Sequence, residues 1–168
     1  MTADQQIKSL VSELYKLCNE NGYGDPFSYA RAKEIVAAIS LGHTIAKTFS
    51  GADAFSSKGE PLEYKSTTGV TIKGSYTGVS NKPTWSEQMQ YLKEEKIAKY
   101  AKHYYNRFDK QTGELVESWE VDGRDVYNIL LPKFKIDYER KALKTYADPR
   151  LSATISQKEI KKYGKRII

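Results

Sequence analysis

Residues 51–67 read GADAFSSKGEPLEYKST, and the architecture turns on this stretch. Between Pro61 and Ser66 the apolar Leu62 and Tyr64 alternate with Glu63 and Lys65. Alternation at period two predicts a strand that carries Glu63 and Lys65 side by side on one face. Ser56, Ser57 and Gly59 are turn formers, so the segment is expected to fold back as a hairpin. That hairpin returns Asp53, ten residues earlier in the chain, towards Glu63. Two carboxylates and an ammonium then share one patch.

Such a patch suits phosphodiester hydrolysis. Carboxylate oxygens are hard ligands for Mg2+, which keeps several waters and takes phosphate oxygens as further ligands. The metal acidifies a bound water and offsets charge on the phosphorus oxygens. A lysine beside it orients or deprotonates the attacking water, or steadies the pentavalent phosphorus. A charged, solvated hairpin without chemistry fits the same residues, so the remainder of the chain has to decide.

With 168 residues, 39% of them hydrophobic and 29% charged, the chain has the make-up of one globular domain. Its longest uncharged helical run, from Ile35 to Ala46, is too short to cross a bilayer. The first residues, MTADQQIKSL, show no secretory pattern, and an intracellular, cytoplasmic location together with DNA is expected. Cys18 is the single cysteine, which excludes a disulfide framework and a cysteine zinc site; its helical spacing predicts a core thiol. The net charge of +6 is unevenly spread. Nine basic and nine acidic residues balance over 1–88, whereas 89–168 carry eighteen basic against twelve acidic. A basic half suits nucleic acid, or else a lysine-rich solvated surface.

Taken in order, Thr2 and Gln5 form a capping box ahead of Ile7, Leu10, Val11, Leu14, Leu17 and Cys18, a one-sided helical stripe ended by Asn21-Gly22. That stripe buries itself on its own domain or on another subunit. Asp25-Pro26 predicts a second helix running to Gly42 or Lys47. Arg31 near its start faces a phosphate or solvent, and His43 is expected to pack or lie at the surface. Beyond the hairpin, a strand is expected over Val70 to Tyr76 in a stretch of Thr, Ser and Gly. Lys73 and Lys82 there are candidates for backbone contacts to nucleic acid. Thr84 and Glu87 cap a helix expected through Ala101, whose first turns offer Ser86, Gln90 and Tyr91 to a groove. His103–Phe108 and Leu115–Val121 flank the turn Lys110–Gly113 as a second hairpin, with His103 expected at a surface strand edge. Asp122 and Asp125 open a long helix to about Lys144, with a kink expected at Pro132. Tyr146–Arg150 is read as a loop before the strand Leu151–Ile155, and Ser156 and Glu159 cap a short last helix ending at Gly164. Its lysines contact phosphate or are simply solvated.

The order Asp53, then Glu63-x-Lys65, resembles the motif of the PD-(D/E)xK nuclease superfamily, although Ala52 stands where its proline is usual. Over residues 42–168 the chain resembles the small PvuII-like type II restriction endonucleases. GADAFSSKGEPLEYKS is similar to their catalytic segment, Ile97-Ala98-Lys99-Tyr100 to a segment before the next strand, and Asp148-Pro149-Arg150 with Tyr163-Gly164-Lys165 to their C-terminal part. The resemblance implies an α+β fold with a restriction-endonuclease-like core, a central mixed sheet flanked by helices. It implies one nuclease domain over 1–168, with helical residues 1–48 contributing to a homodimer. Asp53, Glu63 and the main-chain carbonyl of Tyr64 would bind Mg2+, Lys65 would serve the attacking water, and Tyr100 would hold water or metal.

Double-stranded DNA is the implied partner, cut at a short palindromic site, with a cognate DNA methyltransferase as a possible companion. The family's recognition histidines are missing, with Gln90 and Tyr91 in their approximate place, and Asp148 replaces an asparagine. Together with Arg150, these positions imply a different target sequence. Two other functions stay open: a phage or viral DNA-degrading, nicking or homing enzyme of the same fold, and a DNA-binding module without catalysis.

Overall fold

Three hydrophilic-to-apolar boundaries in the sequence set the helix starts. Thr2, Thr84 and Ser156 each accept a hydrogen bond from the backbone three residues on, and Gln5, Glu87 and Glu159 reach back to close a capping box. The helices that follow are α1 (Ala3–Glu20), α3 (Trp85–Tyr91) and α5 (Gln157–Tyr163). The computed structural model describes residues 1–143 and 148–168, so the expectation for Tyr146 lies outside the described residues. Helix α2 spans Arg31–Leu41 and ends at Gly42 in the left-handed region. Its start is five residues later than Asp25-Pro26 predicts. The Asp25 carboxylate instead accepts from the Phe27 amide and the Ser28 hydroxyl, closing a turn ahead of the helix.

The strands are β1 (Thr44–Ile45), β2 (Ala54–Phe55), β3 (Pro61–Thr67), β4 (Gly74–Val79), β5 (Lys102–Phe108), β6 (Leu115–Asp122), β7 (Leu151–Ile155) and β8 (Lys165–Arg166). Six of them form one mixed sheet in the order β1-β2-β3-β5-β6-β8, in which only β3 and β5 are parallel. The chain is therefore an α+β fold with a mixed central sheet. Strands β4 and β7 pair separately as a two-stranded antiparallel sheet with a bulge between Tyr76 and Val79.

Each face of the main sheet has its own core. On one, Leu62, Tyr64, Tyr104 and Phe108 pack against Ala37 and Ala38 of α2. His43 joins this side as packing, its Nδ1 2.6 Å from the Tyr64 hydroxyl and its ring 4.9 Å from that of Tyr104. On the other face Tyr105 and Val121 meet Tyr76, Val79 and Ile155 of the small sheet and Val126, Leu130 and Phe134 of α4 (Gly123–Ala142). That second cover explains why His103 is wholly buried rather than at a surface edge. Helix α4 runs through Pro132 as one element.

Two further expectations are corrected. The strand placed at Val70–Tyr76 lies at Gly74–Val79, where it finds β7, and Val70 is exposed. Helix α3 stops well before Ala101, because a π-helical turn over Leu92–Lys96 loosens it and Ile97 turns into the core. No helix among the described residues is long and apolar enough to cross a membrane. Cys18 is buried, whereas Ile7, Leu10 and Leu17 of α1 are at least half exposed.

Candidate active site at the β2–β3 hairpin

Alternation along β3 turns Leu62 and Tyr64 into the α2 side and leaves Glu63 and Lys65 on the opposite face. The Lys65 ammonium donates to Glu63 Oε1 at 2.5 Å, with both side chains partly exposed. Strand β2 is only two residues long, so on that edge the backbone of Tyr64, paired with Tyr104 of β5 on the other, has no ladder partner. The side chain of Asp53 supplies one: the Tyr64 N–H donates to its Oδ2 at 2.7 Å. The backbone of Asp53 is held at both ends, its N–H donating to Leu62 O at 3.0 Å and its carbonyl accepting from Ala46 N at 3.1 Å. A strand residue's N–H and C=O leave on the same edge, so the Tyr64 carbonyl points to the edge occupied by Asp53.

Tyr100 secures the approach from the other direction. Its hydroxyl donates to the carbonyl of Gly51 at 2.9 Å, and Gly51 sits at φ 98°, a conformation that favours glycine. The Tyr100 carbonyl in turn lies against Gly123 at the start of α4, where a Cβ would come within 1.9 Å of it. Asp53, Glu63, Lys65 and Tyr100 thus open into a single cleft of about 320 Å³. Its opposite wall is β4, from Ser75 to Val79.

The electrostatics follow from crowding two acids in a half-closed place. Burial, then the neighbouring Glu63 carboxylate, pushes the Asp53 carboxyl up to about 7, against the opposing pull of the Tyr64 hydrogen bond. Burial and the same two carboxylates raise the Tyr100 hydroxyl, which stays protonated. Glu34 on α2 belongs to this field as well. Burial raises its carboxyl, Arg31 opposes that, and Glu63 adds to it. Nothing in the local sequence distinguishes Glu34, since only the packing of α2 beneath β3 brings it near.

Among the described residues no three or more His, Cys, Asp or Glu side chains form a ready metal cage. Two carboxylates and one carbonyl nonetheless fit a hard cation that retains water, and a dication would offset both the burial and the Glu63 repulsion that raise Asp53.

The residues expected to contact DNA divide. Arg31 is buried, donating to the carbonyls of Tyr23 and Ala46 and pairing with Glu34. It is a structural tie and is unavailable to a phosphate. Arg31→Ala is expected to lower stability by about 3 kcal/mol, because it strands a partly buried carboxylate and two carbonyls; chemical denaturation measures this. Ser86, Gln90 and Tyr91 belong to α3, away from the cleft. Gln90 donates to Glu94 and lies with Lys82 and Tyr91 in a separate hollow of about 310 Å³ that also holds Glu87, Glu94 and Glu95. The Lys82 ammonium covers the Tyr91 ring at 4.0 Å. Three carboxylates make this hollow a poor seat for phosphate.

Lys73 is exposed just ahead of β4 and does not line the cleft. Asp148 and Arg150 are exposed and paired with each other through two contacts of 2.9 Å, which hold the Asp148 carboxyl down at about 2. Arg150 also reaches Gly78, where a Cβ would stand 3.4 Å from its guanidinium, so it adjoins the cleft wall. The residues that do line that wall, Ser75 to Val79, fall in the Thr-, Ser- and Gly-rich stretch, whose composition is its one sequence signal. No protein-family model matches the chain, and no curated protein matches it.

Proposed function

We propose that the protein is a Mg2+-dependent endonuclease of the PD-(D/E)xK type that hydrolyses phosphodiester bonds in double-stranded DNA at a short site. One observation carries this: Asp53 and Glu63 flank the backbone of Tyr64 while Lys65 pairs with Glu63 in the same cleft. The restriction-endonuclease-like core is part of the proposal, supported by the mixed sheet and by the hairpin at its edge.

In this scheme Asp53, Glu63 and the Tyr64 carbonyl would hold Mg2+, which when bound acidifies water and neutralises charge on the phosphate. The protein's own groups do the positioning. Lys65 donates to the water or to a phosphate oxygen as negative charge gathers there. Tyr100, through the Gly51 carbonyl, fixes the backbone that presents Asp53. Strand β4 would lie against the DNA, with hydroxyls of Ser75 and Thr77 and the adjacent Arg150 as its polar contacts. The exposed apolar row Ile7, Leu10 and Leu17 on α1 gives a second copy a surface to seat on, and two subunits would cut the two strands. A non-catalytic DNA-binding module would have no use for a half-buried pair of carboxylates next to an ammonium.

Digesting DNA of known sequence with Mg2+ and sequencing the fragment ends tests the site-specific form of the proposal. Ends are expected to share one short sequence with two-fold symmetry. Ends at unrelated sequences would instead indicate a DNA-degrading enzyme of looser specificity.

A further inference from the structure

Lys65 has a second neighbour in the cleft besides Glu63. Its Nζ lies 4.8 Å from the centre of the Tyr76 ring, close enough for the ring face to attract the ammonium. Tyr76 comes from β4 in the small sheet, so the ladder that places Lys65 does not place the ring. Its hydroxyl does. That oxygen is 2.8 Å from His103 Nδ1 and 2.8 Å from the Tyr105 hydroxyl, and all three side chains are buried.

With His103 in its neutral form, the carbonyl beside it sets the direction of each hydrogen bond in this group. His103 Nε2 is 3.0 Å from the carbonyl of Ile97, which can only accept, so Nε2 carries the proton. Burial holds His103 neutral down to about 4, so Nδ1 is bare and accepts from Tyr76. The Tyr76 oxygen then accepts from Tyr105. His103 and Tyr105 are also the β5 residues directly opposite Glu63 and Lys65 in the parallel register. The pair that locks the ring is therefore the pair beside the two charged residues on the neighbouring strand.

We infer that Tyr76 is a positioning residue for Lys65, its ring face locked by His103 and Tyr105 so that the ammonium stays in the cleft. The chemical advantage lies in what the ring does not do. Glu63 is both the partner of Lys65 and a cation ligand in the proposed function, so its oxygens serve two claims. An aromatic face attracts an ammonium without taking up a carboxylate oxygen or a proton. The effect on cleavage rests on the nuclease function proposed above; the placement of Lys65 does not.

The test uses protein labelled with 13C at the lysine ε carbon, with the Lys65 signal identified by its loss in Lys65→Arg. In the parent protein the Lys65 ε protons are expected to show nuclear Overhauser contacts to the Tyr76 ring and a ring-current upfield shift. That shift should vanish in Tyr76→Leu and shrink in Tyr76→Phe, which keeps the ring face but loses the hydroxyl that locks it. In Mg2+-dependent cleavage, kcat should fall about tenfold in Tyr76→Leu with KM nearly unchanged, and stay within about threefold in Tyr76→Phe. An unshifted Lys65 signal without contacts in the parent protein overturns the inference, even if Tyr76→Leu fails to fold. A shifted signal that follows the ring, in proteins that cut no DNA, upholds the placement of Lys65 and removes the nuclease function instead. Equal kcat in all three proteins, with the shift lost in Tyr76→Leu, overturns the role in positioning for catalysis.

Discussion

Lys65→Ala is expected to lower Mg2+-dependent DNA cleavage about a thousandfold while leaving the protein folded. The size follows from removing a donor aimed at developing charge in a half-closed cleft, where water replaces it poorly. Folding should survive because the side chain is partly exposed and its one ion pair lies at the cleft surface. The loss should fall on kcat more than on KM, since the ammonium acts most strongly where charge develops. Lys65→Arg should recover only part of the rate. A planar guanidinium keeps the charge but not the compact ammonium geometry. Single-turnover cleavage of a labelled duplex measures all three proteins, and thermal melting verifies the fold. A Lys65→Ala variant that cuts like the parent removes Lys65 from the chemistry.

The second large effect concerns Asp53 and can be read without any substrate. Its carboxyl is raised from the ordinary 3.8 to about 7 in the folded chain, so the folded state holds this proton more tightly than the unfolded state does. Between those two values the native state binds more protons, and stability must fall as pH rises. The full interval corresponds to about 4 kcal/mol, an upper figure because the titration is shared with Glu63. Metal-free protein should therefore melt lower at pH 8 than at pH 5 through this group. Asp53→Asn keeps an acceptor for the Tyr64 N–H and removes the charge, so it should flatten that part of the pH dependence and stabilise at pH 8. Mg2+ at millimolar concentration should raise the melting temperature of the parent protein at pH 8, with less effect at pH 5, where protons compete for the carboxylate. Asp53→Asn should show neither response. Melting curves at the two pH values with and without Mg2+ decide the matter, and a variant that responds to Mg2+ like the parent would exclude Asp53 as a ligand.

Where the determining interactions are local, the sequence already announces them. The alternation in Leu62–Lys65 assigns both faces of β3 without any knowledge of its neighbours, and Ser56–Gly59 turns the chain so that Asp53 meets Tyr64. The capping boxes at Thr2, Thr84 and Ser156 mark three helix starts for the same reason: each is completed within four residues. Long-range pairing is different. Strand β4 takes its register from β7, which begins more than seventy residues later, and no periodicity in TTGVTIKGSYTGV foretells that partner. Its displacement from Val70–Tyr76 to Gly74–Val79 is the cost of reading it alone.

The two misplaced side chains share that origin. His103 lies inside because the small sheet covers its face of β5, and Arg31 lies inside because the chain leaving β1 returns the Ala46 carbonyl to it. In a sequence both look like ordinary polar residues at the ends of elements. The cleft wall is equally hidden in the sequence, since it is built by β4, with Arg150 beside Gly78, and α3 contributes nothing to it. Glu34 carries no signal in the sequence, because it approaches Glu63 only through the packing of α2.

One side-by-side digestion decides whether the hairpin carboxylates and Lys65 hydrolyse DNA. Purified parent protein and Glu63→Gln are incubated with the same duplex DNA in Mg2+, and in EDTA as a control. The parent protein is expected to produce fragments in Mg2+ and none in EDTA, and Glu63→Gln to leave the DNA intact in both. DNA left whole by the parent protein at every concentration, or cut equally by Glu63→Gln, would contradict the claim.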